Sequence, residues 1–272
     1  MPSSIHDKYA RLQAILKDTG KLAIAYSGGV DSVFLLKAAV ESKGADQVVA
    51  ITVRAENFPA RELREAQDFA KSLGVKHVVE DCDVFSVSGF VENSPERCYH
   101  CKKALFSLAG SVAETFGCSV VADGANLDDR GDYRPGTRAT RELGVISPLQ
   151  QAELGKSEIR ELLRSMDIAF WDKPAFACLA SRIPYGDAIT PAALYRVEQA
   201  EQFFLNLGFR NIRVRQHGDL ARIEVDPSER TRFFEEDLWD LVSAELQRLG
   251  FVYSALDLQG YRMGSLNAVL PK

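Results

Sequence analysis

The sequence predicts an α/β protein: a doubly wound, mostly parallel sheet followed by a smaller α+β C-terminal domain. Three observations carry this. Short apolar runs alternate with helix-spaced segments up to about residue 166, a rhythm that implies parallel strands covered by helices. The first apolar run ends at a Ser-Gly-Gly turn that leads into a helix. After Pro174 the rhythm breaks at three prolines, Pro174, Pro184 and Pro191, then resumes in a different order, which places the domains at 1–187 and 188–272.

Lys21–Tyr26 is the first apolar run, and Val33, Leu35, Leu36 and Ala39 follow at helical spacing. A second strand is predicted at Val48–Val53, a helix at Ala60–Leu73 and a third strand at His77–Val79. An irregular stretch holding Cys98 and Cys101 precedes a helix at Ala104–Phe116. Ser119–Ala122 reads as the fourth strand, Asn126–Gly136 as a polar loop, Val145–Ile146 as a short strand and Lys156–Met166 as a helix. Beyond Pro174–Gly186 come a helix at Pro191–Leu207, strands at Ile212–Gln216 and Ala221–Val225, a helical region at Ser228–Leu249 and a strand at Phe251–Leu256.

Composition narrows the class. With 46% hydrophobic and 26% charged residues the chain reads as a soluble globular protein. No apolar run approaches the ~20 residues that span a bilayer, so no membrane partner is expected. The first residues lack a basic stretch followed by an apolar one, which predicts a cytoplasmic protein. A net charge of −5 and a pI of about 5.5 argue against broad nucleic-acid binding. Six arginines between Arg210 and Arg232 nevertheless read either as a local anion site or as solvated faces. Five cysteines without an export signal do not suggest a disulfide framework. Cys98-x-x-Cys101 points to metal, cluster or redox chemistry, whereas Cys82 and Cys118 read as ordinary buried thiols.

Ser27-Gly28-Gly29-Val30-Asp31-Ser32, between strand and helix, has a mechanical meaning. The glycines allow dihedrals and close approach that a Cβ would block. The freed amides and the Ser27 and Ser32 hydroxyls then face one concavity at a helix N-terminus, where an anion is best held. Asp31 alone would repel a phosphate, so its expected role is to hold Mg²⁺ bridging the phosphates of ATP. Gly155-Lys156-Ser157 resembles the end of a Walker A motif, but position 150 is Gln where that pattern needs Gly.

Ser27–Ser32 resembles the PP-loop of the N-type ATP pyrophosphatases, enzymes that cleave ATP to AMP and pyrophosphate and activate a carboxylate or carbonyl as its adenylate. Asp123-Gly124-Ala125-Asn126-Leu127-Asp128-Asp129 resembles their second acidic loop, which makes Asp123 and Asp128 candidate Mg²⁺ or substrate contacts. Arg97-Cys98-Tyr99-His100-Cys101-Lys102, Tyr133-Arg134-Pro135-Gly136 and Pro174–Gly186, taken with the loop, resemble the LarE family. That resemblance implies an ATP-dependent sulfur transferase that adenylates carboxylates of a pyridinium-3,5-biscarboxylate mononucleotide. It converts them to thiocarboxylates for the nickel-pincer cofactor of lactate racemase.

Two sulfur chemistries follow from the resemblance. Either Cys98, Cys101 and Cys178 hold a [4Fe–4S] cluster whose open iron carries sulfide, or Cys178 gives up its own sulfur. The resemblance also sets Ser181, Arg182, Arg213 and Arg215 around the substrate phosphate, a geometry suited to arginine. Glu201, Glu224 and Asp226 resemble family acids that can hold metal, and a homo-oligomer is implied. Two rivals stay open. One is a PP-loop tRNA thiolase, against which the acidic pI counts. The other is a non-catalytic nucleotide-binding module with zinc on Cys98, His100, Cys101 and Cys178, where adjacent ligands at 100 and 101 are awkward.

Overall fold

Strands buried on both faces need apolar residues at successive positions, and the runs at 22–25 and 48–53 supply them. A computed structural model describes residues 4–131, 135–174, 178–262 and 265–266. Its contacts divide into two units, Met1–Val87 with Cys98–Phe176, and Ser88–Arg97 with Ala177–Lys272.

The first unit opens with α1 (Ile5–Asp18), a helix not anticipated from the sequence. Ser4 and Asp7 cap it reciprocally: Ser4 Oγ accepts from Asp7 N at 3.2 Å and Asp7 Oδ2 accepts from Ser4 N at 3.0 Å. Then come β1 (Leu22–Ala25), α2 (Val30–Lys43), β2 (Val48–Arg54), α3 (Ala60–Ser72), β3 (Lys76–Asp81), α4 (Arg97–Thr115), β4 (Val120–Ala122), α5 (Gly136–Glu142), α6 (Pro148–Gln151) and α7 (Lys156–Ser165). The four strands form one parallel sheet in the order β3-β2-β1-β4. Alternate residues of β1 face opposite cores. Leu22 and Ile24 join Leu12 and Leu16 of α1, Phe34 of α2 and Leu163 of α7, whereas Ala23 joins Val49, Ile51, Ala109 and Ala113. Helices therefore cover both faces, as the predicted α/β alternation requires.

The strand order matters for the site. From β1 the chain builds outward through β2 and β3, then returns to place β4 on the other side of β1. The loops after β1 and β4 therefore meet at this reversal, where open parallel sheets bind ligands.

Three predicted boundaries differ. Helix α4 begins at Arg97, because no proline interrupts the chain after Pro95, so Cys98 and Cys101 lie on its first turns and not in an irregular stretch. Val145–Ile146 contributes a single bridge, Ala122 to Ile146. Ser228–Leu249 is interrupted: beyond α8 (Pro191–Asn206), a 3-10 helix at Pro227–Phe234 gives way to α9 (Glu236–Arg248).

In the second unit β5 (Ile212–His217) and β6 (Leu220–Val225) form an antiparallel hairpin, and β7 (Tyr253–Leu256) pairs parallel with β6. Thr190 caps α8 by accepting from Ala193 N at 3.1 Å, with Pro191 in the first turn where its missing N–H is harmless. Phe204, Phe209, Ile212, Val214, Phe233 and Leu246 are among its core residues. Among the described residues no helix is long and apolar enough to cross a membrane.

Candidate active site

In the first unit the loop between β1 and α2 is built as the sequence suggests. Tyr26 N still donates to Ile51 O at 2.8 Å, so the chain leaves the sheet only at Ser27. Gly28 takes φ +73°, a left-handed value that a side chain disfavours, and a Cβ there would meet Ala66 Cβ at 2.8 Å. Gly29 caps α2 without a side-chain bond of its own. Ser27 Oγ lies 3.3 Å from Ser32 Oγ and accepts from Gly29 N at 3.4 Å, while Ser32 Oγ donates to Gly29 O at 3.0 Å. Val30 is buried beneath them.

Asp31 faces a different environment. One oxygen, Oδ2, lies 3.5 Å from Lys156 Nζ, and the other, Oδ1, is buried with no hydrogen-bond partner among the described residues. Burial pushes its carboxyl above the ordinary value, against the pull of Lys156. A buried, unsatisfied carboxylate oxygen is costly, and a cation is its natural complement.

The acidic loop after β4 packs against this one. A Cβ on Gly124 would meet Ser32 N at 3.0 Å and Asp31 C at 3.3 Å, so only glycine allows the approach. Asp123 Oδ1 accepts from Ser147 Oγ at 2.7 Å and from Ala125 N at 3.1 Å. Buried Asn126 accepts from Asp128 N at 2.9 Å. Asp128 Oδ2 in turn accepts from Lys156 N at 2.8 Å, capping α7 and setting the backbone from which Lys156 reaches Asp31.

Cys98 and Cys101, three apart on α4, share a helix face. Cys101 is buried, with Asn57 Nδ2 donating to its sulfur at 3.8 Å. His100 lies two positions from Cys98, off that face, and its ring packs edge-on against Tyr99 at 5.4 Å. Cys82 and Cys118, expected to be buried, are only half-buried, and that partial burial raises both thiols above their usual range. Within each unit, no described group of three or more His, Cys, Asp or Glu is gathered as a metal ion would need. Of the motif Tyr133–Gly136, Tyr133 and Arg134 lie outside the described residues, as do Ala175–Ala177 before Cys178.

In the second unit the arginines converge. Cys178, half-buried, precedes a 3-10 turn at Leu179–Arg182 that folds Arg182 inward to zero exposure. Arg182 grips Glu201 through two bonds, Nε to Oε1 at 2.7 Å and Nη2 to Oε2 at 2.8 Å. Its Nη1 donates to Cys178 O at 3.1 Å and to Ser181 Oγ at 2.9 Å. Arg215 repeats the arrangement on Glu224, at 2.9 and 2.8 Å, and donates to Ser181 O at 2.7 Å. Arg213 lies across the Tyr261 ring at 4.9 Å and donates to Ile212 O at 2.6 Å.

Among these buried residues, Arg182 pairs with Glu201 and Arg215 with Glu224, and Arg213 stands in the same cluster. Burial alone would raise the Glu201 carboxyl, but Arg182 and then Arg213 outweigh it and hold it below its ordinary value. Burial first, then Arg182, presses the Arg213 guanidinium down. Such a cluster is complemented by an anion. Asp226, by contrast, caps the 3-10 turn by accepting from Ser228 N at 3.0 Å. Of the other arginines of the run, Arg222 joins Arg215 on Glu224, whereas Arg230 donates to Gln259 O and Arg232 to Leu207 O.

No protein-family model matches the chain. Curated proteins do. It is 38% identical over 269 residues to an uncharacterised protein of Synechocystis, covering 98% of this chain and 100% of that one. It is 36% identical over 270 residues to the pyridinium-3,5-bisthiocarboxylic acid mononucleotide synthase of Lactiplantibacillus plantarum, covering 99% of this chain and 97% of that one. The chain belongs to the LarE family. A more distant likeness, 31% over 145 residues, links it to the argininosuccinate synthase of Haloarcula marismortui, covering 50% of this chain and 34% of that one.

Several residues of this LarE-family chain are not legible as site residues from the sequence. Lys156 stands in the Walker-like triplet that had no role, yet it pairs with Asp31. Lys173 reaches Gly28 O from 145 positions away. Asn93, buried at φ +52°, donates to the carbonyls of Ile183, Pro184 and Asp187, and Arg97 donates to Asn93 Oδ1 and to Ala180 O. These two order the kinked stretch that shows no period. Only the Lys156 triplet left a signal in the sequence.

Proposed function

We propose that the protein is an ATP-dependent sulfur transferase. It adenylates a carboxylate of a pyridinium-3,5-biscarboxylate mononucleotide, releases pyrophosphate, and replaces AMP with sulfur to leave a thiocarboxylate. The observation that carries this reading is the Ser27–Ser32 loop at the switch point of the sheet, in a chain similar over nearly its whole length to a named synthase.

The chemistry follows from the residues. The loop's amides and hydroxyls hold the phosphates of ATP at the N-terminus of α2. Mg²⁺ fits Asp31, whose buried Oδ1 lacks a partner, and when bound would neutralise phosphate oxygens. Asp123 and Asp128 shape the neighbouring loop, and Lys156 adds positive charge beside Asp31. A substrate carboxylate oxygen attacks the α-phosphorus and pyrophosphate leaves. In the second unit Ser181, Arg182, Arg213 and Arg215 hold the mononucleotide's phosphate, and the guanidinium groups supply the hydrogen-bond donors. Glu201 and Glu224 aim the arginines. A metal on these two or on Asp226 would require each to release the partner it has here.

Three thiolates from Cys98, Cys101 and Cys178 suit a [4Fe–4S] cluster, since the first two share a helix face and His100 lies off it. When bound, such a cluster supplies sulfide through its open iron. In the alternative route the Cys178 thiolate displaces AMP from the acyl carbon, and a later β-elimination, in which a base takes the Cα proton as the Cβ–S bond breaks, leaves dehydroalanine and the thiocarboxylate anion. Arg182 Nη1 donates to Cys178 O at 3.1 Å, which sets a guanidinium beside that cysteine. A cytoplasmic location stays the expectation drawn from the N-terminal residues, and a homo-oligomer is what the family resemblance implies.

The test is a single anaerobic turnover with ATP and the biscarboxylate mononucleotide, followed by mass spectrometry of the protein. Pyrophosphate and thiocarboxylate are expected. Loss of the mass of H₂S at Cys178 selects the sacrificial route, and an intact Cys178 selects the cluster. Absence of both products sinks the proposal.

A further inference from the structure

We propose that Lys173 is a positioning residue for the nucleotide loop: it fixes the Gly28–Gly29 peptide with the carbonyl turned out and the N–H turned in. The inference rests on the ATP-binding reading above. Lys173 Nζ donates to Gly28 O at 3.2 Å. The amide of that same peptide unit, Gly29 N, donates to Ser27 Oγ at 3.4 Å, and Ser27 Oγ stands beside Ser32 Oγ at 3.3 Å. In a planar trans peptide the C=O and N–H point in opposite directions, so holding one outward holds the other inward.

The peptide needs such a hold. A Gly-Gly step rotates at little local cost, because neither residue carries a Cβ to favour one orientation. Rotated, the Gly28 carbonyl would turn its negative end toward bound phosphate, and one donor would leave the concavity. Backbone seating alone limits translation: a Cβ at Gly28 would strike Ala66 Cβ at 2.8 Å and Glu62 O at 3.2 Å, so the loop rests directly on α3. Rotation is controlled by the ammonium.

The ammonium is itself positioned. Glu62 of α3 lies 2.7 Å from Lys173 Nζ and Glu65 lies 2.5 Å away, and the Phe170 ring is 5.0 Å below. The Lys173 and Glu62 side chains are only 13% and 5% exposed, which removes this pair from the class of solvated surface bridges. Lysine suits the task because one ammonium donates to the Glu65 carboxylate and the Gly28 carbonyl at once while its charge sits against the Glu62 carboxylate. One helix, α3, thus provides both the floor under Gly28 and the acid that directs the lysine over it.

The experiment uses the full chain, Mg²⁺ and α,β-methylene ATP, which cannot be cleaved between the α- and β-phosphates, in a binding titration. Lys173→Met, titrated well below its melting temperature because the buried Glu62 carboxylate loses its counter-ion, is expected to weaken binding about tenfold or more, as loss of a charged hydrogen bond predicts. Lys173→Arg, which keeps charge and donors, is expected to return affinity to within about threefold of the unsubstituted protein. Binding to Lys173→Met as tight as to the unsubstituted protein overturns the proposal. Failure of Lys173→Arg to rescue overturns it as well, since a merely structural contact would be the remaining role. Should Lys173→Met not fold, Glu62→Gln decides the matter in the same titration: weakened binding supports the proposal and unchanged binding overturns it. No binding to the unsubstituted protein overturns the ATP reading together with this proposal, so the two failures are told apart.

Discussion

Asp31 and Arg182 show how differently two buried charges are managed. Arg182 is matched on every side, by both Glu201 oxygens, by Ser181 Oγ and by Cys178 O. Removing one member of such a pair leaves an uncompensated ion, so Glu201→Leu should cost about 3–5 kcal/mol of unfolding free energy by urea denaturation. The double variant Glu201→Leu with Arg182→Met should recover most of that loss. If the single and double variants are equally destabilised, pairing is not what holds Arg182. Asp31 is the opposite case, with Oδ1 unpartnered and its carboxyl pushed up by burial. Asp31→Asn removes a poorly compensated charge while keeping the shape, so the apo protein should melt at the same or a higher temperature. Binding of Mg²⁺·α,β-methylene ATP should nonetheless fall by about tenfold or more. A variant that loses stability and keeps its affinity would reverse the assignment.

At the scale of elements, the nucleotide loop depends on how closely the turn after β4 approaches it. A Cβ at position 124 would press on the backbone of Asp31 and Ser32 at 3.0–3.3 Å, and neither backbone can yield as a flexible side chain could. Gly124→Ala should therefore weaken nucleotide binding while costing about 1–3 kcal/mol of stability, the range for overpacking. Titration and urea denaturation of the same sample check both parts. The strand and helix on either side of Ser27–Ser32 were legible in the sequence, because a buried apolar run and a helical period are local patterns. So was the alternation of Arg213 and Arg215 along β5. The partners were not. Arg182 finds Glu201 19 positions on, and Lys173 finds Gly28 145 positions back, separations at which no period connects them. Helix α1 escaped although Ser4 and Asp7 have capping-box spacing. The start of α4 at Arg97 was missed because a Cys-x-x-Cys pair reads as a loop until its backbone is seen to be helical.

The whole molecule should be acid-sensitive through two histidines, one in each unit. His77 of the first unit is half-buried, with Nε2 2.8 Å from Thr52 Oγ1; that hydroxyl donates to Tyr26 O at 2.5 Å, which leaves His77 as the donor to Thr52. His217 of the second unit has a buried Nε2 without a hydrogen-bond partner among the described residues. Burial lowers both imidazoles below the ordinary value, with Arg222 adding to the effect on His217. The sign follows from linkage. An unfolded histidine takes a proton near pH 6.5, and a folded one with a lowered pKa refuses it until more acid conditions. Stability from each histidine is therefore complete above about pH 6.5 and declines as pH falls toward the folded value, by at most about 1.4 kcal/mol per pH unit per group. Salt-bridged carboxylates such as Glu201 add losses in the same direction, but only below the usual carboxylate range. Asp31, with its raised carboxyl, opposes them once it gains a proton. Denaturation at pH 7.5 and 5.5 should thus show a loss in the unsubstituted protein and a smaller one in His77→Gln with His217→Gln. Equal stability at the two pH values in the unsubstituted protein would mean that both imidazoles accept their protons as readily folded as unfolded.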